Sequence, residues 1–216
     1  MMASLKQADW PVAVGIAAGT ITRHGTAADL PAEPEWLHQV HGARVVELGT
    51  KDFAMGEPDA DAVVGKRSGD ICVVQTADCL PVLFCARDGE EIAAAHAGWR
   101  GLAGGVLEAT IEAMSTPAAE LLAWLGPAIG QQRFEVGDEV REAFADADFD
   151  CAARFAANER GRWQADLFGL AKDHLQACGV TSVHGERDCT FDQPDRYYSY
   201  RRDGSTGRLY SFIHRR

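Results

Sequence analysis

Two histidines and a cysteine, His41, Cys79 and His96, are the side chains of this chain best suited to chemistry. They stand in Gln39-Val40-His41-Gly42, Thr76-Ala77-Asp78-Cys79-Leu80-Pro81 and Ala95-His96-Ala97-Gly98-Trp99-Arg100-Gly101. Two imidazoles and a thiolate hold zinc with a fourth position left open. That position is where a bound water or a substrate reacts. The sequence also gives a reason for two of the three to meet. Asp88-Gly89 is a strong hairpin dipeptide, and it lies between the apolar runs 82–85 and 92–95. A two-residue turn there sets Arg87 opposite Glu90 and His96 opposite Pro81, with Cys79 the diagonal neighbour of His96 on the same face. A thiol and an imidazole joined in this way form a metal site or a catalytic pair. His41 has to arrive from another part of the fold.

Other segments carry weaker signals, each with an ordinary alternative. His96 precedes Ala-Gly-Trp-Arg-Gly at an expected helix start, where small residues admit a ligand and free N–H groups accept an anion. Arg100 adds a fixed positive charge there, and its ordinary role is a salt bridge. Cys79 alone reads equally as a buried thiol. Gly126-Pro127-Ala128-Ile129-Gly130 is by default a plain loop, and otherwise a turn offering N–H groups to a substrate. Tyr197-Tyr198-Ser199-Tyr200-Arg201-Arg202-Asp203 combines rings and guanidinium groups, able to stack on a heterocycle or grip a phosphate. The alternative is an amphipathic strand ending at an Asp203-Gly204 turn. Cys72, Cys85, Cys151 and Cys178 occupy apolar stretches and read as small core residues.

The elements that must position these groups are a mixture. Residues 13–22, 44–48, 71–75, 82–85, 92–95, 121–125, 180–184 and 209–213 are expected strands. Residues 102–114 show helical spacing through Leu102, Val106, Ala109, Thr110, Ala113 and Met114. Val136, Val140 and Phe144 mark a second helix. Leu167, Leu170, Ala171, Leu175 and Cys178 mark a third, stopped by Gly179. Hairpins interspersed with separated helices imply an α+β fold.

The 216 residues, 46% hydrophobic and 25% charged, fit an ordinary globular protein of one domain, 1–216. A net charge of -11 argues against a nucleic-acid partner, which requires clustered basic residues. No apolar stretch reaches the roughly 20 residues that span a bilayer. No export signal is evident, so a cytoplasmic protein with reduced thiols is expected. The oligomeric state is not legible.

Taken together, QVHG, TADCLPVLF, HAGWRG, WLGPAIG, FEVG, DCT and YSYRRD, in this order between Trp36 and Ile213, resemble the YfiH/YlmD family. That family is also called the laccase-domain or multicopper polyphenol oxidase family. The resemblance implies a four-layer α/β/β/α sandwich with mixed sheets, the YfiH/cytotoxic-necrotizing-factor-like fold, related to toxin deamidases that use Cys and His. It implies a metal, usually zinc and in some accounts copper, on His41, Cys79 and His96. It also implies phosphorolysis of purine nucleosides (adenosine, inosine, guanosine and methylthioadenosine), deamination of adenosine, copper-dependent phenol oxidation, or a part in peptidoglycan editing. The segment between Arg23 and Trp36 is shorter than the family pattern, which there carries Asn-Leu-Gly and an Asn-Arg pair. Substrate contacts from that segment do not carry over.

The residues choose among these activities. A multicopper oxidase draws on many imidazoles, often in His-x-His pairs; seven histidines and no such pair argue against it. The His-x-Glu and Pro-Cys-x-x-Cys signature of zinc nucleobase deaminases is absent. The expected activity is therefore a zinc-dependent purine nucleoside phosphorylase with adenosine deamination as a second activity. Its substrates are purine nucleosides and phosphate, and it has no membrane partner. Arg23, Arg100, Arg201 and Arg202 are the cations available to phosphate or substrate. Arg100 and Arg201 also stabilise developing charge, and Asp78, Glu135 and Asp188 are available for acid or base work. The rival expectations are a hydrolase or amidase with Cys79 as nucleophile and His96 as base, and a peptidoglycan-editing factor.

Overall fold

A computed structural model describes residues 3–145 and 150–216. In chain order the strands and helices begin with β1 (Leu5–Gln7), β2 (Ile16–Ile21), β3 (Val45–Glu47), β4 (Ala62–Gly65), β5 (Ile71–Thr76), β6 (Leu80–Ala86) and β7 (Ile92–Ala97). The helices α1 (Trp99–Ala103) and α2 (Val106–Ala113) follow, then β8 (Leu121–Leu125), β9 (Glu135–Val136) and α3 (Asp138–Glu142). The chain continues through β10 (Phe155–Ala157), β11 (Trp163–Ala165), α4 (Leu167–Ala177), β12 (Ser182–His184), α5 (Tyr200–Asp203) and β13 (Leu209–Arg215).

Two sheets form the frame. The larger has six strands in the order β12-β8-β6-β7-β4-β3, with parallel pairs at both edges and antiparallel pairs between. The smaller is antiparallel, in the order β1-β2-β13-β5. The central strand β6, Leu-Pro-Val-Leu-Phe-Cys-Ala, is buried at every residue, because both of its faces are covered. Val82 and Phe84 meet Leu102, Val106, Leu107 and Leu170 of the helices. Leu83 and Cys85 meet Cys72, Val74 and Ile213 of the smaller sheet. A strand covered on both sides reads as a continuous apolar run instead of an alternating one. The three layers are thus helices, large sheet and small sheet. On the outside of the small sheet, Leu30, Ala32 and Trp36 cover Ile21, Ile71, Val73 and Phe212. That fourth covering is supplied by the short segment after Arg23, whose only regular piece is the 3-10 turn Ala27–Asp29. A third sheet, β10-β11-β9, stands apart from these.

The mixed α+β class and most expected strands are present, and residues 121–125 coincide with β8. The register of the β6–β7 hairpin is as expected, Pro81 opposite His96 and Cys85 opposite Ile92. Its loop differs. The last ladder bond, Ala86 N–H to Glu91 C=O at 2.8 Å, leaves four loop residues, turned by Gly89 at φ 78°. The register survives because two residues were added symmetrically. The expected helix 102–114 is two helices, α1 and α2. Gly104 and Gly105 separate them, with Gly105 at φ 85°. The helix marked by Val136 and Phe144 shrinks to α3, and Val136 belongs to β9. The strand alternative for the Tyr-rich segment gives way to α5, whose start Ser199 caps by accepting from Arg202 N–H. The buried side chain of Glu91 holds the end of α2. Its carboxylate accepts from Ser115 N–H (2.8 Å), Thr116 N–H (2.9 Å) and the Thr116 hydroxyl (2.8 Å).

Burial opposes the Glu91 charge, but these donors and Lys66 outweigh it and lower its pKa below the ordinary 4.5. A carboxyl lowered on folding stabilises fully above that value and loses its effect as pH falls through the lower folded value. Glu91→Ala is therefore expected to cost about 2–4 kcal/mol at neutral pH, with several buried bonds lost together. Urea melts should show the difference from wild type shrinking as pH falls below 4.5.

Candidate metal centre

Ligand atoms of His41, Cys79 and His96 all lie within 4.8 Å of one another, the only such group among the described residues. Each comes from a different local device. His96 sits near the end of β7, opposite Pro81 across the hairpin. Cys79 sits in the turn joining β5 to β6. His41 stands at φ 62° in the loop before β3, and Asp78, just before Cys79, stands at φ 91°. These are the only two non-glycine residues with positive φ among the described residues. Such backbone costs of order 1–3 kcal/mol each and persists where surrounding contacts over-determine it.

Those contacts are two buried carboxylates. Asp61, 0% exposed, accepts from the backbone N–H of Val40 (3.2 Å), His41 (2.9 Å) and Gly42 (2.7 Å), and pairs with His96 Nδ1 at 2.8 Å. Its backbone carbonyl takes the His96 N–H at 2.7 Å. Burial alone would raise the Asp61 pKa; the His96 ring and the Gly42 and His41 N–H groups outweigh it and lower it. An unpaired buried carboxylate costs several kcal/mol, so these donors are required. With Nδ1 engaged, His96 offers Nε2 to the centre, the orienting role a carboxylate plays behind a ligating histidine. Asp78 is the second carboxylate. It accepts from the Thr190 hydroxyl (2.6 Å), the Ser199 hydroxyl (3.0 Å) and Arg201 N–H (2.7 Å). It ties the cysteine turn to the Asp-Cys-Thr and Tyr-Ser-Tyr segments.

The charge state suits a cation. Burial pushes the Cys79 thiol up, but hydrogen bonds from His41 and His96 overcome it and bring it to about 6. A thiol so lowered is largely thiolate at neutral pH, the form that ligates metal. Space has been kept as well. A Cβ on Gly98 would lie 2.9 Å from Cys79 Sγ and 3.3 Å from His41 Cδ2. A Cβ on Gly101 would lie 2.9 Å from the Gly42 carbonyl oxygen. The donor set therefore fits a thiophilic divalent ion with an open position.

The remaining expected residues separate by what occupies them. Arg100 is exposed, lies 4.4 Å over the Trp99 ring, and has no acidic partner among the described residues. Arg201, also exposed, gives one bond to the Glu135 carbonyl (2.9 Å) and lies over Phe134. Arg202 is fully engaged. Its five donors reach the Thr190, Phe191 and Tyr197 carbonyls and both oxygens of Asp203, leaving none for a ligand in this conformation. Arg23 is bonded to the Pro194 carbonyl and stacked on Tyr198. Glu135 pairs with Asn158 (2.7 Å) and Arg160. Asp188 accepts from Tyr197 (2.8 Å) and Gln193 (3.1 Å). Burial opposes its charge, yet these bonds and Lys6 lower its pKa, which keeps it a carboxylate, a poor proton donor and a weak base. The Gly126–Gly130 turn offers nothing to a substrate through its Gly126, Ala128, Ile129 and Gly130 N–H groups. They reach Pro81, Asp188 and Asp78 carbonyls and Cys189 Sγ. Asp61 was missed in the sequence reading; its one signal is a carboxylate opening the apolar stretch Ala62-Val63-Val64.

Asp61→Asn keeps the shape but turns an acceptor into a partial donor facing N–H groups. It is expected to weaken cobalt or zinc binding roughly 10- to 100-fold, measured by chelator competition. Gly98→Ala should also weaken metal binding, through crowding, while circular dichroism stays that of the wild type. Full affinity in both variants would remove Asp61 and Gly98 from the centre.

Comparison with known proteins bears on what this centre serves. The family model described as multi-copper polyphenol oxidoreductase laccase matches residues 5–216. A Pseudomonas aeruginosa purine nucleoside phosphorylase is 50% identical over 185 residues, covering 85% of this chain and 75% of the relative. The Escherichia coli purine nucleoside phosphorylase YfiH is 48% identical over 187 residues, covering 87% and 76%. The crystal structure of a Neisseria meningitidis protein superposes with a TM-score of 0.91 at 40% identity, covering 98% of this chain and 99% of that one. With His41, Cys79 and His96 drawn together on this fold, the chain belongs to the multi-copper polyphenol oxidoreductase laccase family, alongside the YfiH proteins.

Proposed function

We propose that this protein is a zinc-dependent purine nucleoside phosphorylase acting with inorganic phosphate, with adenosine deamination as a secondary activity. The observation that carries the reading is the His41/Cys79/His96 cluster, within 4.8 Å and backed by Asp61, on a chain about half identical to purine nucleoside phosphorylases. One such group among the described residues suits a single ion, whereas oxygen reduction by a multicopper oxidase draws on several. His41, Cys79 and His96 would hold the ion, which would supply Lewis-acid charge. Copper binds such N and S ligands tightly as well. Six free cysteines suit a reducing compartment, in keeping with a cytoplasmic enzyme.

In phosphorolysis a phosphate oxygen bonds to ribose C1′ while the C1′–N9 bond breaks. The electron pair goes to the purine, which takes up a proton. The chain's part is to hold phosphate and carry the charge. Arg100 and Arg201 suit the phosphate. Both are exposed, neither guanidinium has a carboxylate partner among the described residues, and Arg201 N–H is tied to Asp78 beside Cys79. Arg100 lies in α1, whose Gly101 packs on the Gly42 carbonyl; α1 has only five residues, so the guanidinium supplies the charge there and the helix dipole little. Arg23 contributes only if its Pro194 bond opens. Tyr200, 63% exposed and next to Arg201, and Val40, 46% exposed and next to His41, offer apolar surface for a purine ring.

A second reading has its own support. Asp61, His96 and Cys79 stand in the order carboxylate, imidazole, thiol, the arrangement of a Cys/His hydrolase. The two readings part over metal. Metal-stripped protein retains a cysteine nucleophile but loses a metal-dependent phosphorylase.

Purified protein is expected to carry about one zinc per chain, and Cys79→Ala to carry none. Undiminished zinc in Cys79→Ala overturns the ligand set. Ribose-1-phosphate formation from adenosine, followed across phosphate concentrations, tests the reaction. Arg100→Ala should lower kcat/KM for phosphate roughly ten- to a thousand-fold, with zinc content unchanged. No ribose-1-phosphate from zinc-loaded wild type refutes the phosphorylase reading. An Arg100→Ala titration matching wild type moves the phosphate to Arg201.

A further inference from the structure

Three ligands define three pairwise spacings, and two of these have been accounted for. The β6–β7 register sets Cys79 relative to His96. Asp61 sets His41 relative to His96. Among the described residues the Asp78 carboxylate is hydrogen-bonded to Thr190, Ser199 and Arg201, none of them in the His41 loop. The spacing of His41 from Cys79 needs a tie of its own.

We infer that Gln39 is the positioning residue that sets His41 against Cys79, through a side-chain amide that substitutes for a neighbouring strand at the end of β5. Its Nε2 donates to the Gln75 carbonyl at 2.8 Å, and its Oε1 accepts the Gln75 N–H at 2.7 Å. β5 is an edge strand, paired on one side with β13 alone. In an antiparallel pair, alternate residues turn both backbone groups away from the partner. Gln75 is such a residue, and its outward N–H and C=O would otherwise remain an unpaired edge. One amide fills both. It needs a donor and an acceptor in one planar group at this reach, which a glutamine supplies and a carboxylate or thioether of the same length does not.

The tie works because of where it sits. Gln39 precedes His41 by two residues, and Gln75 precedes Cys79 by four. Between each anchor and its ligand the chain passes through or into a positive-φ residue, His41 itself and Asp78. These backbone turns have few alternative conformations, so fixing the anchors fixes the ligands. His41 is the exposed member of the three and packs edge-on against His96 at 4.8 Å between ring centroids. It therefore has the most freedom to lose.

This role rests on the metal reading, and the test separates the two. Gln39→Met removes both bonds at similar volume, and Gln39→Glu retains the acceptor half. In metal-free protein, the Gln75 amide of Gln39→Met should exchange with solvent at least about tenfold faster, as expected for a locally opened bond. The Val74 and Ser211 amides serve as controls within the β5–β13 pair. Gln39→Glu should keep more Gln75 protection than Gln39→Met. Cobalt(II) titration should then show affinity lowered roughly 10- to 100-fold in Gln39→Met, with a weaker thiolate-to-cobalt band and an unfolding midpoint close to that of wild type. Unchanged Gln75 exchange overturns the tie. Faster exchange with wild-type cobalt affinity and spectrum overturns the positioning role. Wild-type protein that binds no cobalt overturns the metal reading and this role with it, whatever the exchange shows.

Discussion

The Asp61 carboxylate is the interaction on which the centre depends. One buried anion collects three successive backbone N–H groups from the His41 loop and the Nδ1 of His96. The dependence runs both ways. Without those donors the carboxylate would be an unpaired buried charge, and without the carboxylate the loop would have no reason to hold a left-handed histidine. The loop before β3 and the end of β7 are therefore one structural unit, although far apart in sequence. The large sheet supplies the platform. β4 begins at Ala62, directly after Asp61, and pairs with β7 so that Ala62 faces Ala95.

Acidic side chains serve here mainly as internal ties. Asp61, Asp78 and Glu91 each accept several donors from loops or helix ends, and for Asp61 and Glu91 these donors lower the pKa despite burial. The cations divide in a complementary way. Arg202 braces three carbonyls and Asp203, and Arg23 is held by Pro194 and Tyr198. Arg100 and Arg201 are exposed, Arg100 over the Trp99 ring and Arg201 over Phe134 with one bond to the Glu135 carbonyl. In a chain of net charge -11, neither of these two guanidinium groups has a carboxylate partner among the described residues.

Much of the centre was legible because its signals are local. His41, Cys79 and His96 are chemically distinctive, and Asp88-Gly89 set the hairpin register even though the loop proved longer than two residues. Asp61 was not legible, because Asp59 and Asp61 flank one alanine and nothing in composition says which carboxylate is buried. The clamp role of Asp78 was hidden for another reason: Thr190 and Ser199 lie 112 and 121 residues away. The break between α1 and α2 was written in Gly104-Gly105, but the apolar period runs across it and suggested one helix. β9, β10 and β11 are two or three residues long, too short for alternation to emerge. Five free N–H donors on Arg202 cannot be told from five occupied ones without the fold.

The way the ligands are gathered has a consequence for the order of events during folding. No two of them lie in a short Cys-x-x-Cys or His-x-x-x-His span; Cys79 follows His41 by 38 positions and His96 follows Cys79 by 17. The unfolded chain thus presents no preformed chelate, and the sheets assemble before an ion finds three ligands together. An ion bound at such a site would be a late guest, unlike the nucleating metal of a zinc finger. Thermodynamic linkage then adds about 2.7 kcal/mol of stability at a free-ion concentration one hundred times Kd. On that order, a protein stripped of such an ion would stay folded and lose only this linkage term.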